Sequence, residues 1–156
     1  MPTDTFQWGE GIGRLLTGGE VIGLIGPLGA GKTEWVKGLA KGLGISDRQI
    51  ISPTFTLVCV HPARIPLCHI DLYRLEGDGD IDTIGLSEYV DESLESGGVV
   101  AIEWADKLND SVTADGITLT VEIRYLKGDQ REMRMTTTHP GLLSSMDQIG
   151  DHIGKI

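Results

Sequence analysis

The chain predicts a single α/β domain with a mixed, mostly parallel central sheet flanked by helices and an antiparallel hairpin towards its C-terminal side. Three observations carry that expectation. Val21-Ile-Gly-Leu-Ile25 and Val99-Val-Ala-Ile102 contain no polar side chain, which is how short strands covered on both faces read. After the first of them, Val36, Leu39, Ala40 and Leu43 recur at helical spacing, so a strand is followed by a loop and a helix. Ile117 to Tyr125 and Glu132 to Thr138 instead alternate in polarity around Lys127-Gly-Asp-Gln, the pattern of a hairpin. At 156 residues there is material for one core and not for two, so 1–156 reads as one domain.

In chain order, Thr5 to Leu16 reads as a helix with an uneven apolar stripe (Phe6, Ile12, Leu15, Leu16), weakened by Gly11 and Gly13. The strand at Val21 to Ile25 and a helix from Lys32 to Leu43 follow, with Gly44 as its C-terminal stop. Ser52-Pro-Thr-Phe is a loop, because Pro53 has no N–H and disfavours helix before it. Thr56 to Val60 and Leu67 to Leu72 read as strands joined by a turn from Pro62 to Pro66. Glu76 to Asp82 is acidic and glycine-rich, a short helix spans Leu86 to Leu94, and the tail from Pro140 is a weak helix or a frayed end.

The loop between the first strand and its helix carries the chemistry. Gly26-Pro-Leu-Gly-Ala-Gly-Lys-Thr33 fits G-x-x-x-x-G-K-[ST] in every required position and in the right strand–loop–helix setting. Gly26, Gly29 and Gly31 can take backbone angles closed to other residues and let oxygens approach the main chain. Successive backbone N–H groups then converge on phosphate at the positive end of the following helix. Lys32 is placed to neutralise β- and γ-phosphates and the Thr33 hydroxyl to ligate Mg²⁺. The domain is therefore expected to be of the P-loop NTPase type.

In parallel α/β sheets the ligand sits beyond the C-terminal ends of the strands. Two carboxylates stand there: Asp71 after Leu67-Cys-His-Ile70, and Glu103 after Val99-Val-Ala-Ile102. Either can hold Mg²⁺, directly or through water, or orient an attacking water. Asp78, Asp80, Asp82, Asp91 and Glu92 follow no strand and read as solvating charge. Thr54 can sense a γ-phosphate as a switch-loop hydroxyl does. Trp104 packs over the site or in the core, Trp35 belongs to the core or its rim, and His69 reads as a satisfied strand histidine without a catalytic role.

The net charge of −10 argues against a stand-alone binder of RNA or DNA, whose affinity rests on neutralising phosphates. Arg124, Lys127, Arg131 and Arg134 read as solvated hairpin faces, and service to a nucleic-acid pathway would run through partner proteins. No apolar run suits a membrane span, and Met-Pro-Thr-Asp-Thr-Phe-Gln-Trp lacks the features of a signal peptide, so a cytoplasmic protein is expected. Cys59, His61, Cys68 and His69 imitate a zinc set, but Cys68 and His69 point to opposite faces of a strand.

Taken in order, GPLGAGKT, Ser52-Pro-Thr-Phe-Thr-Leu-Val58, His69-Ile-Asp-Leu-Tyr-Arg-Leu75, Gly85-Leu-Ser-Glu-Tyr89 and Ile102-Glu-Trp104 resemble the TsaE (YjeE) family of bacterial ATPases, over about residues 5 to 135. The resemblance implies a seven-stranded sheet and Mg²⁺-dependent ATP hydrolysis. It also implies a cytoplasmic complex with TsaD and TsaB, whose tRNA threonylcarbamoyladenosine modification the ATPase supports while touching tRNA only indirectly. It places phosphate on Lys32 and on the loop amides of Gly26, Leu28, Gly29, Ala30 and Gly31, and Mg²⁺ on Thr33 and Glu103. Asp71 becomes a catalytic or water-positioning residue beside Glu103 and Lys32, and Thr54 lies in the switch-like loop. Thr5 and Arg131 match a threonine near the family's start and a basic residue of its hairpin that contact nucleotide. Pro27 departs from the Asp usual after the first glycine.

Other readings stay open on the sequence. Asp82-Thr-Ile-Gly85 matches the D-x-x-G of a small GTPase, although no buried strand precedes it and no N-K-x-D follows. A small-molecule kinase would need a substrate pocket and lid for which the chain is short. A regulatory subunit that binds ATP and barely hydrolyses it would look the same.

Overall fold

The structure, a computed structural model, describes residues 2–50, 58–75, 85–108, 116–137 and 139–153, with backbone alone for 2, 3, 47 and 148–153. Its elements are α1 (Pro2–Leu15), β1 (Val21–Ile25), α2 (Lys32–Gly42), β2 (Val58–His61), β3 (Leu67–Asp71), α3 (Leu86–Glu95), β4 (Val99–Glu103), β5 (Leu119–Tyr125), β6 (Arg131–Thr137) and α4 (Pro140–Ile153). Among the described residues the sheet has six strands, where the resemblance implied seven, in the order β2-β3-β4-β1-β5-β6. β3, β4, β1 and β5 run parallel, and β2 and β6 flank them antiparallel. The expected mixed, mostly parallel sheet with a C-terminal hairpin is what forms.

Alternation along the buried strands divides the core in two. Ile22, Leu24, Leu67, Val99, Ala101, Leu119, Val121 and Ile123 face α1, α2 and α4. Val21, Cys68, Ile70, Val100 and Ile102 face Leu86 and Val90 of α3 on the other side. Because side chains alternate with period two, continuous apolar runs are the cost of a sheet covered on both faces. Trp35 is fully buried in the first core.

α1 also packs closely against α2, and glycines set how close the two come. A Cβ on Gly9 would stand 2.1 Å from Trp35 O, and one on Gly13 2.4 Å from Leu39 O. From α2, a Cβ on Gly38 would stand 2.0 Å from Phe6 O and one on Gly42 2.3 Å from Glu10 O. These i, i+4 glycine pairs leave backbone against backbone, where Cα–H groups meet carbonyl oxygens. Gly13 thus holds the helix pair together instead of weakening α1. The tail is a 14-residue helix, α4, that buries Leu142 and Met146 against the rest of the core.

β1 is the strand on which the order turns. Its sequence neighbours lie on one side and β5 on the other, so a crevice opens above its C-terminal end. The phosphate-type loop, Asp71 and Glu103 all start from that edge.

Candidate functional site

Gly26 to Gly31 leaves β1 and turns directly into α2. Gly29 and Gly31 sit at φ 78° and 117°, in the left-handed region that a side chain would strain. Gly26 serves differently from the sequence expectation: its conformation is ordinary, but a Cβ there would lie 2.5 Å from Ile123 O of β5. No side chain caps the N-terminus of α2 at Gly31, so its first amides stay directed into the crevice. A cavity of about 360 Å³ opens there, bounded by Gly29, Lys32 and Thr33 on one side and Asp71, Tyr73 and Trp104 on the other.

The acidic wall is set by strand pairing. Asp71 and Glu103 are direct register partners on β3 and β4, and Leu24 of β1 stands beside Glu103 on the next strand. Thr33 Oγ1, in the first turn of α2, donates to Glu103 Oε1 at 2.8 Å. Glu103 Oε2 meets His69 Nε2 at 2.5 Å. Glu103 is 2% exposed and Asp71 8%. Asp71 Oδ1 accepts from Tyr73 N at 3.0 Å, which turns the chain sharply after β3. Lys107 closes that turn by donating to Tyr73 O and Leu75 O, both at 2.8 Å.

Lys32 lines the cavity from the loop side. Its ammonium donates to Gly26 O at 2.5 Å and Pro27 O at 2.9 Å, and lies 4.1 Å from the centre of the Trp104 ring. Burial pulls the Lys32 ammonium below its ordinary value, opposed by the charges of Glu103, Asp71 and Asp106. Trp104 reaches this position through a left-handed backbone (φ 62°), the sole positive φ outside glycine among the described residues. Its ring also packs on Tyr73 with centroids 5.2 Å apart. Both sequence readings of Trp104 hold: its ring lies over Lys32 and also packs, half-buried, against the α3-side core.

A loop of amides, a buried ammonium, and a hydroxyl hydrogen-bonded to a strand-end carboxylate form a crevice that can receive anionic oxygens on one side and a hard cation on the other. Comparisons with known proteins give the family. A family model, "Threonylcarbamoyl adenosine biosynthesis protein TsaE", matches residues 1–133. The chain belongs to the TsaE family.

Among curated TsaE proteins, that of Treponema pallidum is 44% identical over 130 residues, covering 83% of this chain and 91% of its own. The TsaE protein of Aquifex aeolicus is 39% identical over 134 residues, covering 85% and 88%. The crystal structure of Bacillus subtilis YdiB superimposes with a TM-score of 0.74 at 28% identity, covering 97% of this chain and 90% of that one.

Two further positions singled out by the TsaE resemblance stand at the loop. Thr5 of α1 is buried, and a Cβ on Gly31 would lie 3.4 Å from its methyl and 3.9 Å from an Arg131 nitrogen. Arg131 donates from a terminal guanidinium nitrogen to Gly29 O at 3.3 Å, while its buried Nε has no partner among the described residues. Tyr125 Oη, one strand over, donates to Leu28 O at 3.2 Å. Leu28 itself is 67% exposed at the loop tip, which these two side chains of the hairpin fasten from outside the loop. Pro27, the departure from the family pattern, supplies its carbonyl to Ala30 N at 3.1 Å and to Lys32. Thr54 lies outside the described residues.

The imitation zinc set does not converge. Cys59 pairs with His69, and Cys68 with Val60, so Cys68 points to the α3 side of the sheet and the other three away from it. Burial pushes the Cys68 thiol up and pulls the His61 imidazole down, each towards its neutral form. Arg124 pairs with Glu122, as expected for a solvated hairpin face. Lys107 and Tyr125, which brace the turn and the loop, were not singled out in the sequence; His69, read there as a satisfied strand histidine, bonds Glu103 and lies two residues before Asp71 on the same strand, a spacing that puts both on one face.

Proposed function

We propose that this chain is the Mg²⁺-dependent ATP hydrolase of the bacterial tRNA N6-threonylcarbamoyladenosine machinery, a cytoplasmic component that supports turnover by a TsaD–TsaB pair. The observation that carries the reading is the 2.8 Å bond from Thr33 Oγ1 to Glu103 Oε1 beside the uncapped start of α2. A hydroxyl and a carboxylate, both hard oxygen donors, fit Mg²⁺, which takes one or two protein ligands and fills its shell with phosphate and water. When bound, the ion neutralises charge on the β- and γ-phosphates.

The rest falls to the chain's own groups. The amides of Gly26, Leu28, Gly29 and Gly31 receive the phosphates, joined by Ala30 N as it gives up its bond to Pro27 O, and Lys32 leaves the two loop carbonyls and the Trp104 face for the β- and γ-oxygens. Thr5 and Arg131 hold the nucleotide from the α1 and hairpin sides. Asp71, one strand from Glu103, orients a water whose oxygen bonds to the γ-phosphorus as the bond to the bridging oxygen breaks, releasing ADP and phosphate. With a net charge of −10 the chain reaches tRNA only through its protein partners and binds neither DNA nor membrane. No described helix is long and apolar enough to cross a membrane.

The decisive experiment is reconstitution with TsaD–TsaB, measuring hydrolysis of ATP and GTP with and without the pair. Stimulation by the partners and a preference for ATP are expected; GTP preference, or no response to the partners, sinks the reading. Within the site, Asp71→Asn and Glu103→Gln should each lower turnover by about 100-fold while ATP still binds, and wild-type hydrolysis by both would overturn the assignment. Tyr125→Phe removes one neutral hydrogen bond from the loop tip. Its ATP Kd should rise about 2- to 5-fold with kcat unchanged, checked by titration and saturation kinetics.

A further inference from the structure

Glu103 is almost fully shut from water, and both of its oxygens are engaged. Oε1 accepts from Thr33, and Oε2 meets His69, a side chain 0% exposed. Register explains how the imidazole gets there. His69 stands directly opposite Ala101, and Glu103 is two residues further along β4 on the same face. The small side chain of Ala101 leaves the ring room to run along the sheet to the diagonal neighbour, a separation a long side chain spans. The far nitrogen, Nδ1, is buried and has no partner among the described residues. A carboxylate oxygen only accepts, so in this contact Nε2 carries the proton and gives it to Glu103 Oε2.

We propose that His69 is the positioning residue of the site: its Nε2–H holds Glu103 Oε2, and so fixes the rotamer in which Oε1 faces Thr33 and the cation the two would share. This rests on the reading of Thr33 and Glu103 as the Mg²⁺ ligands. Thr33 Oγ1 could hold the cation through a lone pair while its O–H still donates to Glu103, and His69 is the second donor, which fixes the carboxylate from its other oxygen. A ligating carboxylate held this way keeps its orientation from the sheet side, where His69 is fully buried. Loss of such a supporting contact typically costs 10- to 100-fold in metal affinity.

The test separates metal positioning from simple packing. ATP binding is titrated in excess EDTA and then as a function of Mg²⁺, for the wild type, His69→Leu, His69→Gln and Glu103→Gln. His69→Leu keeps volume and drops the donor. It should bind ATP in EDTA like the wild type but need about 10- to 100-fold more Mg²⁺ for the metal-dependent gain. His69→Gln carries an amide nitrogen at the reach of Nε2 and should return to within about 3-fold of the wild type. Wild-type Mg²⁺ dependence in His69→Leu, or a His69→Gln as impaired as the leucine variant, overturns the proposal. Should the leucine variant not fold, His69→Asn replaces it, because its shorter amide does not reach Glu103. Then His69→Gln must outperform His69→Asn in Mg²⁺ dependence, and equality overturns the role. If instead the wild type shows no Mg²⁺ dependence, or Glu103→Gln does not alter it, the Mg²⁺-site reading itself fails and His69 falls with it.

Discussion

Lys32→Ala is expected to abolish tight ATP binding, raising Kd by about 1,000-fold through the loss of two or so charge-assisted hydrogen bonds worth about 2 kcal/mol each. The fold should survive the change. Lys32 carries a desolvation cost in the free protein, since burial pulls its ammonium towards the neutral form. What its removal leaves behind are the Gly26 and Pro27 carbonyls, at the mouth of an open crevice where water can replace the ammonium. Isothermal titration with ATP and Mg²⁺, beside thermal unfolding of the free protein, tests both halves. Retained affinity, or a collapse in Tm, would show that Lys32 is a structural strut and not a phosphate ligand.

Gly38→Ala is expected to destabilise the protein by about 3 kcal/mol, since overpacking between two backbones has no flexible side chain to yield. A methyl group there would meet Phe6 O at 2.0 Å and Glu10 N at 2.9 Å, so α1 must move away from α2. The gain in helix propensity, about 1 kcal/mol, opposes this and loses. For a chain of this size the shift amounts to a Tm lower by about 6–12 °C. Because α2 begins with Lys32 and Thr33 and α1 carries Thr5, ATP affinity should fall as well. Circular dichroism melts and a nucleotide titration check it; an unchanged Tm would mean that the helices do not cross as closely as described.

These two substitutions mark where the sequence was informative and where it was not. Lys32 stands out in a contiguous motif, and a strand with both faces covered must be apolar throughout, so β1 and β4 were legible as runs. Asp71 and Glu103 followed, because strand ends are where an α/β sheet presents its ligands. Gly9, Gly13, Gly38 and Gly42 were not legible as an interface. A glycine in a helix lowers propensity whether or not another backbone lies against it, and the partner helix is some 30 residues away in the chain. The contact of His69 with Glu103 spans 34 positions, so it depends on a strand register that no local pattern states. Trp104 could be read as core or site because its placement hangs on a left-handed backbone, which a tryptophan does not advertise. The tail beyond Pro140 looked weak because helicity was judged alone, whereas Leu142 and Met146 gain their order by docking.

The register between β3 and β4 also gives the site two mechanical characters. Asp71 and Glu103 are carried on paired backbones about 4.8 Å apart, a separation that cannot change without breaking the sheet. On the opposite side the tip of the glycine arch, at Leu28 and Gly29, is tied to the hairpin by the Tyr125 and Arg131 bonds, while α2 behind it is anchored in the core and β5 in the sheet. The spacing of the two carboxylates is therefore the most rigid dimension of the crevice, and the exposed loop tip the least.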